Sequence, residues 1–314
     1  MTPTAPHSSG FGHDSTATEV LQGIDLHGRF AVVTGGSSGL GLEMTRSLAA
    51  AGADVLVPAR RPQAARAALG DLASVAPLDL TDLPAVRRFA QDLLDRGRGI
   101  DILINGAGIM TAPRTIVGPG WEAHLAVHHL APYLLTNQLL PVISAGARVV
   151  GLSSSAHFLS DIRWDDPHFR RTTDYDQWTA YGQSKTAVAL FALGLDARLT
   201  ERGAHAFAVH PGSILTPLQR EIPTAEQHRL GWIDDHGRPP AGFKSVEQGA
   251  ATAVWAATAA LLEEHGGAYC QDCDVARPAT TDDMLVGGAK PWVIDRDAAE
   301  RLWDLTTRAV TGLT

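Results

Sequence analysis

From residue 29 onward, short apolar runs alternate with longer segments in which apolar residues recur at helical spacing. Short runs rich in Val, Ile and Phe are typical of buried strands, and the longer segments are typical of helices with one apolar face. Strands and helices in regular alternation indicate a parallel sheet with helices on both sides. The pattern predicts a single doubly wound α/β domain of six or seven strands.

The predicted strands are RFAVVTGG, ADVLVPAR, LASVAPLDL, IDILINGAG, ARVVGLSSS and AHAFAVHPG, with AYCQDC as a final edge strand. The predicted helices are LGLEMTRSLAAAG, RPQAARAALG, DLPAVRRFAQDLLDRG, WEAHLAVHHLAPYLLTNQLLPVIS, WTAYGQSKTAVALFALGLDARLTERG and SVEQGAATAVWAATAALLEEHGG. Gly52 ends the first of these helices and Pro84 lies in the first turn of the third, which are the usual positions of these residue types at helix ends.

Three segments depart from this alternation. Residues 1–22 are rich in Thr, Ser, Pro, Gly and His and predict a disordered tail, which leaves residues 23–314 as the domain. Residues 217–245 contain four prolines and little periodicity, which predicts an irregular lid. Residues 279–314 form a C-terminal extension, in which PWVIDRDAAERLWDLTTRAV predicts an amphipathic helix. That helix could cover the site, cover a sheet edge, or block association between copies.

Composition narrows the classes of partner. A net charge of -8 and a pI near 5.9 argue against nucleic-acid binding, which depends on clustered Lys and Arg. The chain has no apolar run long enough to cross a membrane and no export signal, so we expect a cytoplasmic protein without a membrane partner. Cys270 and Cys273 are the only cysteines, and we expect them to be two small residues near a strand end, with a lone redox or half-metal pair as the alternative.

The stretch TGGSSGLG lies between the first predicted strand and the first predicted helix. Gly35, Gly39 and Gly41 allow a tight turn in which backbone N–H groups approach a pyrophosphate, and the helix N-terminus favours its negative charge. The spacing T-G-x-x-x-G-x-G differs from G-x-G-x-x-G and lacks the Lys of a nucleoside-triphosphate loop. The turn predicts a dinucleotide cradle, with a plain strand–helix connection as the alternative.

The end of the second predicted strand indicates which dinucleotide is bound. An acidic residue there holds the ribose 2′-OH of NAD, whereas arginine accommodates the 2′-phosphate of NADP. This strand ends in VPARRP, with Arg60 and Arg61 and no acid, and Ser37 and Ser38 could add hydroxyl donors. NADP(H) is therefore favoured over NAD(H), unless both arginines are only solvated surface charges.

A hydroxyl-bearing cluster follows further along the chain. In AYGQSKTA, Tyr181 and Lys185 stand four residues apart on a predicted helix and so share one face. In VVGLSSSAH, serines occupy the carboxyl end of a predicted strand, where doubly wound sheets bind their ligands. The combination indicates catalysis more than either pattern alone.

The motifs TGGSSGLG, INGAG, LSSSAH, AYGQSK and HPGSILT, in this order, resemble the short-chain dehydrogenase/reductase superfamily of Rossmann-type proteins. The likeness runs from about residue 25 to 270, and AYGQSKTA and HPG look closest to the retinol-dehydrogenase-like branch of classical members. The resemblance implies that Tyr181 is the acid/base, that Lys185 lowers its pKa and holds the nicotinamide ribose, and that Ser154 binds the carbonyl oxygen. Ser153 and Ser155 are competitors for that last role.

The resemblance also implies the residues of a cofactor pocket. These are Gly35, Ser37, Ser38, Gly39, Leu40 and Gly41 in the turn, Arg60 and Arg61, Asp79 and Leu80 near the adenine, Asn105, Gly106, Ala107 and Gly108 on the floor, Tyr181 and Lys185, and Pro211, Gly212, Ile214 and Thr216 at the carboxamide.

Two positions depart from the family pattern. His128 stands in VHHL where relatives carry the Asn tied to a proton-relay water, so the relay is either preserved with altered pH dependence or broken. Gly106 replaces a second Asn, which a cofactor-facing backbone tolerates. His124 and His128 share a helical face, but no H-E-x-x-H pattern accompanies them, and we predict no metal site.

These observations predict an NADP(H)-dependent oxidoreductase acting on a secondary alcohol or ketone. Its substrate is expected to be an apolar or aromatic small molecule, because the lid contains Leu218, Ile222, Leu230, Trp232, Ile233 and Phe243 with His228, His236 and Arg238. The alternatives are a reductase of an imine or aldehyde, and a non-catalytic NADP(H)-binding regulatory or scaffolding protein. By family likeness, a homodimer or homotetramer would pair through the helices at 120–143 and 178–202.

Overall fold

The computed structural model describes residues 9–110 and 113–312. Its strands are β1 (Phe30–Thr34), β2 (Asp54–Ala59), β3 (Ser74–Pro77), β4 (Ile100–Asn105), β5 (Ile116–Val117), β6 (Trp121–Glu122), β7 (Ile143–Leu152), β8 (His205–His210), β9 (Tyr269–Gln271) and β10 (Asp274–Val275). Its α-helices are α1 (Ala17–Val20), α2 (Gly39–Ala50), α3 (Pro62–Leu69), α4 (Leu83–Arg96), α5 (Ala123–Leu125), α6 (Ala131–Leu139), α7 (Gln177–Leu199), α8 (Thr224–Arg229), α9 (Val246–Thr258) and α10 (Arg296–Thr311).

Eight strands form one sheet in the order β3-β2-β1-β4-β7-β8-β9-β10, and β5 pairs with β6 in a separate hairpin. All neighbours in the large sheet are parallel except β9 and β10. The chain builds outward from β1 in both directions, so strand order reverses between β1 and β4. A crevice forms at the carboxyl ends of the strands at such a reversal. The predicted doubly wound parallel sheet is confirmed.

Helices cover both faces of the sheet because successive strand residues point to opposite sides. In β1, Val32 packs with α4, α6 and α7, whereas Ala31 and Val33 pack with α1, α2 and α9 on the other face. Every residue of β1 is buried, which explains its continuous apolar run. The result is a three-layer arrangement.

The predicted disordered tail is wrong for part of its length. Residues 17–20 form α1, in which the Thr16 and Glu19 side chains each bond the other residue's backbone N–H as a capping box. Ala17 and Val20 are buried in the core cluster that contains α2 and α9. The polar composition of this segment gave no sign of these two buried apolar residues. Residues 1–8 of the predicted tail lie outside the described residues.

The long helix predicted after the fourth strand is interrupted. It begins as α5, widens into a π-helical turn at Ala126–Leu130, and continues as α6. Pro132, the second residue of α6, has no N–H to donate to a carbonyl one turn back, which accounts for a break in regular hydrogen bonding here. π-helical turns are frequent at functional sites, and this one contains His128.

The prediction of AYCQDC as an edge strand is wrong. Within this stretch β9 pairs in parallel with β8, and the edge is β10, which folds back antiparallel on β9. Asp272 and Cys273 make the two-residue turn with positive φ angles of 52° and 57°. Such a turn normally uses Asn-Gly, so the sequence carried no hairpin signal at this position.

Helix α10 covers the surface that was expected to pair with a second copy. Its Trp303 stacks on Phe191 of α7 with 5.9 Å between ring centroids, and the Thr307 hydroxyl hydrogen-bonds Tyr133 Oη of α6 at 2.6 Å. Residues 180–195 of α7 are all buried within the single chain. Within the single chain, α10 therefore packs on the helix that was expected to meet a second copy. No helix in the described ranges is both long enough and apolar enough to span a membrane.

Candidate active site

A cavity of about 1070 Å³ opens at the carboxyl ends of β1, β2, β4, β7 and β8. Most of the residues predicted to form a site line it. They are Gly35, Ser37, Ser38, Gly39, Leu40, Gly41, Arg60, Arg61, Asp79, Leu80, Gly106, Ala107, Gly108, Ser154, Tyr181, Lys185, Pro211, Gly212, Ile214 and Thr216. Asn105 and His128 are not among the described lining residues.

The backbone of the glycine turn packs directly against neighbouring backbone segments. A Cβ on Gly41 would lie 2.1 Å from the Gly35 carbonyl oxygen, so the first turn of α2 rests directly on the strand end. Gly35 has φ +73°, and a Cβ there would lie 2.8 Å from Ala107 Cα. Both positions require glycine because two backbone segments approach closely. The turn brings the N-terminus of α2 to the cavity wall, where it favours an anionic ligand.

The polar groups beside this turn suit a phosphate. Ser38 is the N-cap residue of α2, yet its hydroxyl makes no capping hydrogen bond. Arg60 and Arg61 are exposed residues that follow β2, and both line the cavity. Hydroxyls and guanidinium groups left available at one cavity wall are donors for a phosphate group. The residues present therefore fit a 2′-phosphorylated dinucleotide.

Tyr181 and Lys185 lie one turn apart on α7, both almost fully buried, and both line the cavity. The Lys185 ammonium stands 5.4 Å from the centre of the Tyr181 ring and donates to the Leu152 carbonyl oxygen at 2.8 Å. Leu152 ends β7, so this bond ties the helix to the strand end. The spacing predicted from the sequence thus brings a phenol and an ammonium together.

Burial controls the protonation of both groups. Desolvation raises the pKa of Tyr181 well above its usual range, and a hydrogen bond with the Ser154 side chain acts in the opposite direction. Desolvation lowers the pKa of Lys185 to about 7. The phenol is therefore protonated at neutral pH, and the ammonium is close to its titration point.

Ser154 and its neighbour Ser153 have different surroundings. Ser153 is buried and its hydroxyl donates to the Lys185 carbonyl oxygen at 2.8 Å, so its proton is already used. Ser154 Oγ accepts from the Ala156 N–H at 3.1 Å, and its side chain hydrogen-bonds the Tyr181 side chain, so its hydroxyl lies beside the phenol. Of these two competitors, Ser154 is the better donor toward a substrate oxygen. Ser155 is also buried and offers its backbone N–H to His210.

We expect two serine variants to separate these roles. Ser154→Ala should lower kcat about 10- to 100-fold with little change in stability, because a donor to the carbonyl oxygen is lost. Ser153→Ala should instead lower the free energy of unfolding by about 1 kcal/mol through loss of a buried hydrogen bond. Steady-state kinetics and chemical denaturation of both variants measure the difference. The opposite pattern would transfer the catalytic role to Ser153.

Both ring nitrogen atoms of His128 form hydrogen bonds within the protein. Its Nε2 accepts the Ile109 N–H at 3.0 Å, and its Nδ1 lies 2.7 Å from Ser184 Oγ. Ser184 donates its own proton to the Tyr181 carbonyl oxygen at 2.6 Å, so His128 Nδ1 must be the donor to Ser184. Burial and the nearby Lys185 charge hold the His128 pKa well below its ordinary value. A neutral ring with both nitrogen atoms occupied does not fit the proton relay considered from the sequence.

Asn105 also differs from its predicted place on the cofactor floor. It is buried at the end of β4, where its Nδ2 donates to Thr136 Oγ1 at 3.2 Å, and its Oδ1 has no hydrogen-bond partner among the described residues. The side chain thus links the sheet to α6 beneath the cavity. The adjacent residues Gly106 and Ala107 instead reach the cavity, and their N–H groups donate to Thr34 Oγ1.

A buried polar cluster packs against the Tyr181 ring. The His124 and His128 rings meet it edge-on, with centroids 6.0 and 5.8 Å away. His124 Nδ1 lies 2.7 Å from Glu122 Oε1, and the Tyr175 hydroxyl donates to the same oxygen at 2.8 Å. These contacts hold the phenol ring in one orientation. No sequence motif signals them, because their partners come from separate elements.

Several other cavity residues were not predicted. Arg220 and Arg229 line it from the lid, and Met284 and Leu285 line it from the C-terminal extension. Of the lid residues predicted to form an apolar wall, Leu218, Leu230, Trp232 and Phe243 line the cavity. Leu285 is 78% exposed at the mouth. The signal available in the sequence was the apolar pair Met284 and Leu285 in a largely polar part of the extension.

The arrangement can move a proton to or from an oxygen. A carbonyl oxygen near Ser154 and Tyr181 would receive one hydrogen bond from the serine and a proton from the phenol, and the Lys185 ammonium would stabilise the phenolate left behind. A phenol held by burial in its protonated form is suited to the reductive direction at neutral pH.

Comparison with known proteins agrees with this geometry. The family model for short chain dehydrogenases matches residues 29–165. A protein named "Probable oxidoreductase" from Streptomyces lividans is 42% identical over 294 residues, which cover 90% of this chain and 97% of that protein.

Solved structures show the same likeness. An uncharacterized protein from Mycobacterium Paratuberculosis superposes with a TM-score of 0.73 at 31% identity, over 95% of this chain and 98% of that one. The Pseudomonas aeruginosa RhlG/NADP active-site complex superposes with a TM-score of 0.60 at 28% identity, over 79% of this chain and 95% of that one. Relatives named as short-chain dehydrogenases are 30% and 33% identical over more than 90% of this chain, and the chain belongs to the short-chain dehydrogenase/reductase family.

Proposed function

We propose that this protein is an NADP(H)-dependent oxidoreductase that interconverts a ketone and a secondary alcohol of an apolar or aromatic small molecule. One observation carries the proposal: Ser154, Tyr181 and Lys185 line the same cavity as the glycine turn of α2 and the two arginines after β2. Carbonyl reduction needs a hydride donor and an acid for the oxygen, and the residues proposed for both tasks line one cavity.

The cofactor end of the cavity supports NADP(H). Arg60, Arg61 and Ser38 surround the position that a 2′-phosphate takes in sheets of this kind, and no acidic residue ends β2. Asp79 and Leu80 line the wall next to them, where the adenine is expected. A relative of similar fold at 28% identity is known as a complex with NADP. When bound, NADPH supplies the hydride for the carbonyl carbon.

The other end of the cavity supports an apolar substrate. Trp178 of α7 meets Trp232 of the lid edge-on, with 5.8 Å between ring centroids, and both line the cavity. Leu230 and Phe243 add apolar surface from the lid. Leu159 adds apolar surface from the segment that follows Ser154, which we call the serine loop. Aromatic and aliphatic walls bind a flat or bulky hydrocarbon framework and exclude water from the reacting oxygen.

Charge at the second strand should determine cofactor choice. We expect the double variant Arg60→Ala/Arg61→Ala to raise KM for NADPH at least about 10-fold, because a charge-assisted hydrogen bond to phosphate is lost, with little change in KM for NADH. Arg66→Ala on the exposed side of α3 is the matched control. Initial rates with both cofactors measure the preference. A wild type that binds NADH more tightly than NADPH would contradict the proposal.

A carbonyl panel tests the function itself. Purified protein is assayed for NADPH oxidation with aliphatic, aromatic and polycyclic ketones, with aldehydes and with a cyclic imine. We expect the highest kcat/KM with a bulky apolar ketone. Turnover only with the aldehyde or the imine would favour that alternative reaction. NADPH binding without any turnover would favour the regulatory or scaffolding alternative.

The proposal also covers the location, the partners and the oligomeric state of the protein. We propose a cytoplasmic protein that binds a small-molecule substrate and neither nucleic acid nor membrane. A homodimer or homotetramer would have to form through a face other than α7, because α10 covers that helix. Light scattering of the purified chain gives the mass.

A further inference from the structure

His210 is a buried histidine that the proposed reaction does not use. It is the last residue of β8, directly before Pro211 and Gly212. Its Nδ1 accepts two backbone hydrogen bonds, from Ser155 N at 3.1 Å and from Gly212 N at 3.4 Å. One ring atom therefore joins two separate loops.

The two loops carry different parts of the site. Ser155 follows Ser154, whose hydroxyl faces Tyr181, and Gly212 belongs to the loop that forms the cavity wall after β8. In the proposed reaction the first loop holds the substrate oxygen and the second holds the nicotinamide end of the cofactor. The relative position of these loops sets the distance between the two reacting groups.

The two bonds require one particular form of the ring. Accepting two N–H groups needs the lone pair of Nδ1, so the ring is neutral and carries its proton on Nε2. Burial lowers the pKa of His210 to about 3, with smaller effects from Asp272, His157 and Lys244. The acceptor is thus available throughout the physiological pH range.

Packing leaves the second loop little freedom to compensate. A Cβ on Gly212, which has φ +102°, would lie 2.7 Å from Lys244 Cδ, so the loop rests directly on that side chain. Lys244 is itself held by Asp272 at 2.5 Å, and its backbone N–H donates to the Ser213 carbonyl oxygen at 2.8 Å. The loop that contains Gly212 therefore packs on Lys244, and His210 links it to the serine loop.

We propose that His210 is a positioning residue, which sets the distance between Ser154 and the nicotinamide end of the cavity by accepting one hydrogen bond from each loop. The proposal rests on the proposed function for its catalytic consequence. Its structural part, the tie between the two loops, stands on the hydrogen bonds alone.

Two variants of His210 test the role. Leucine fills the space without an acceptor, whereas the amide oxygen of asparagine can take the place of Nδ1. We expect His210→Leu to lower kcat about 100-fold, the effect of a small misplacement of reacting groups, while the Kd for NADPH changes less than about threefold. His210→Asn should recover most of kcat. With 4-deuterated NADPH, the isotope effect on kcat should increase in His210→Leu as hydride transfer becomes limiting.

A second measurement does not depend on turnover. Hydrogen–deuterium exchange of peptides covering 153–157 and 211–216 should be at least about 10-fold faster in His210→Leu and near wild type in His210→Asn. His205→Leu, at the opposite end of β8, is the matched control and should leave both peptides protected. Unchanged protection in a folded His210→Leu would overturn the proposal. So would equal kcat losses in the leucine and asparagine variants.

These readouts keep the two proposals apart. If the wild type binds NADPH but reduces no carbonyl, the proposed function fails, and the exchange data still decide whether His210 ties the loops. If the wild type is active and His210→Leu exchanges and reacts like the wild type, only the positioning role fails.

Discussion

Replacing Tyr181 with phenylalanine should reduce kcat for carbonyl reduction by roughly 10³-fold while NADPH still binds. The change removes the one phenol that lines the cavity beside both Ser154 and Lys185 in the described part of the chain. Phenylalanine keeps the ring that packs edge-on against His124 and His128, so the fold should be retained. Steady-state rates and a fluorescence titration with NADPH measure the two effects separately.

The physical reason lies in the state of the phenol. Burial raises the pKa of Tyr181 above its ordinary value, so a proton is held on Oη at neutral pH and can be given to a developing alkoxide. Without it, the proton must come from water, which the apolar walls of the cavity exclude. The loss should therefore fall on kcat rather than on cofactor affinity.

Tyr133→Phe is the matched control for this variant. The Tyr133 hydroxyl bonds Thr307 of α10 and lies outside the cavity. Its loss should cost about 1 kcal/mol of stability and leave kcat unchanged. A Tyr181→Phe protein with near wild-type kcat would show that another group supplies the proton. A wild type without turnover would instead point to the regulatory alternative.

The sequence predicted those parts of the site that depend on local spacing. Tyr181 and Lys185 are one helical turn apart, so any helix through them brings both side chains to one face. A tight turn between a strand and a helix needs residues without a Cβ, so Gly35, Gly39 and Gly41 mark its position. The alternation of strands and helices determined the sheet, because right-handed parallel crossovers leave few arrangements.

The parts that it missed depend on contacts between distant segments. His128 was considered for a proton relay, but Ile109 and Ser184 occupy its nitrogen atoms, and neither partner is near it in the chain. His210 stood in the HPG motif without an assigned role, because one of its two partners, Ser155, is 55 residues away in the chain. Hydrogen-bond partners of buried histidines are set by tertiary packing, which residue spacing does not encode.

The sequence also did not predict which surfaces α10 and α1 cover. The amphipathic pattern of α10 indicated a packed helix, but an apolar face does not say which surface it covers. Helix α10 packs on α7 through Leu302 and Trp303. The cavity is instead lined by Met284 and Leu285, which precede α10 in the chain. In the same way, Ala17 and Val20 are too few apolar residues to mark α1 in a polar segment, although both are buried.

Lys185→Met should make the protein more stable at pH 6–7 and at the same time reduce kcat by about 10²- to 10³-fold. No salt bridge joins Lys185 to a carboxylate within residues 9–110 and 113–312, so its ammonium is buried at a net cost. That cost lowers its pKa from 10.5 to about 7. Methionine removes the cost but also the positive charge that stabilises the Tyr181 phenolate.

The pH dependence gives the sign of the effect. Below about pH 7 the lysine is protonated in both the folded and the unfolded chain, and the full cost is present. Between pH 7 and 10.5 only the unfolded chain holds the proton, so wild-type stability rises with pH through this window, by at most about 1.4 kcal/mol per unit from this group. Relative to the wild type, Lys185→Met should gain roughly 3 kcal/mol at pH 6.5, after the lost bond to Leu152 is subtracted. The gain should diminish toward pH 10.

Lys244→Met provides the contrast, because this lysine is buried with a partner. Its ammonium is 2.5 Å from Asp272, so its removal leaves a partly buried carboxylate without a counter-charge. We expect a loss of about 2 kcal/mol instead of a gain. Urea denaturation of the three cofactor-free proteins at several pH values between 6 and 9.5 measures all of these differences. If Lys185→Met were less stable than the wild type at pH 6.5, the buried ammonium would not be the cost inferred from the structure, and the account of how this site prepares its phenol would have to be replaced.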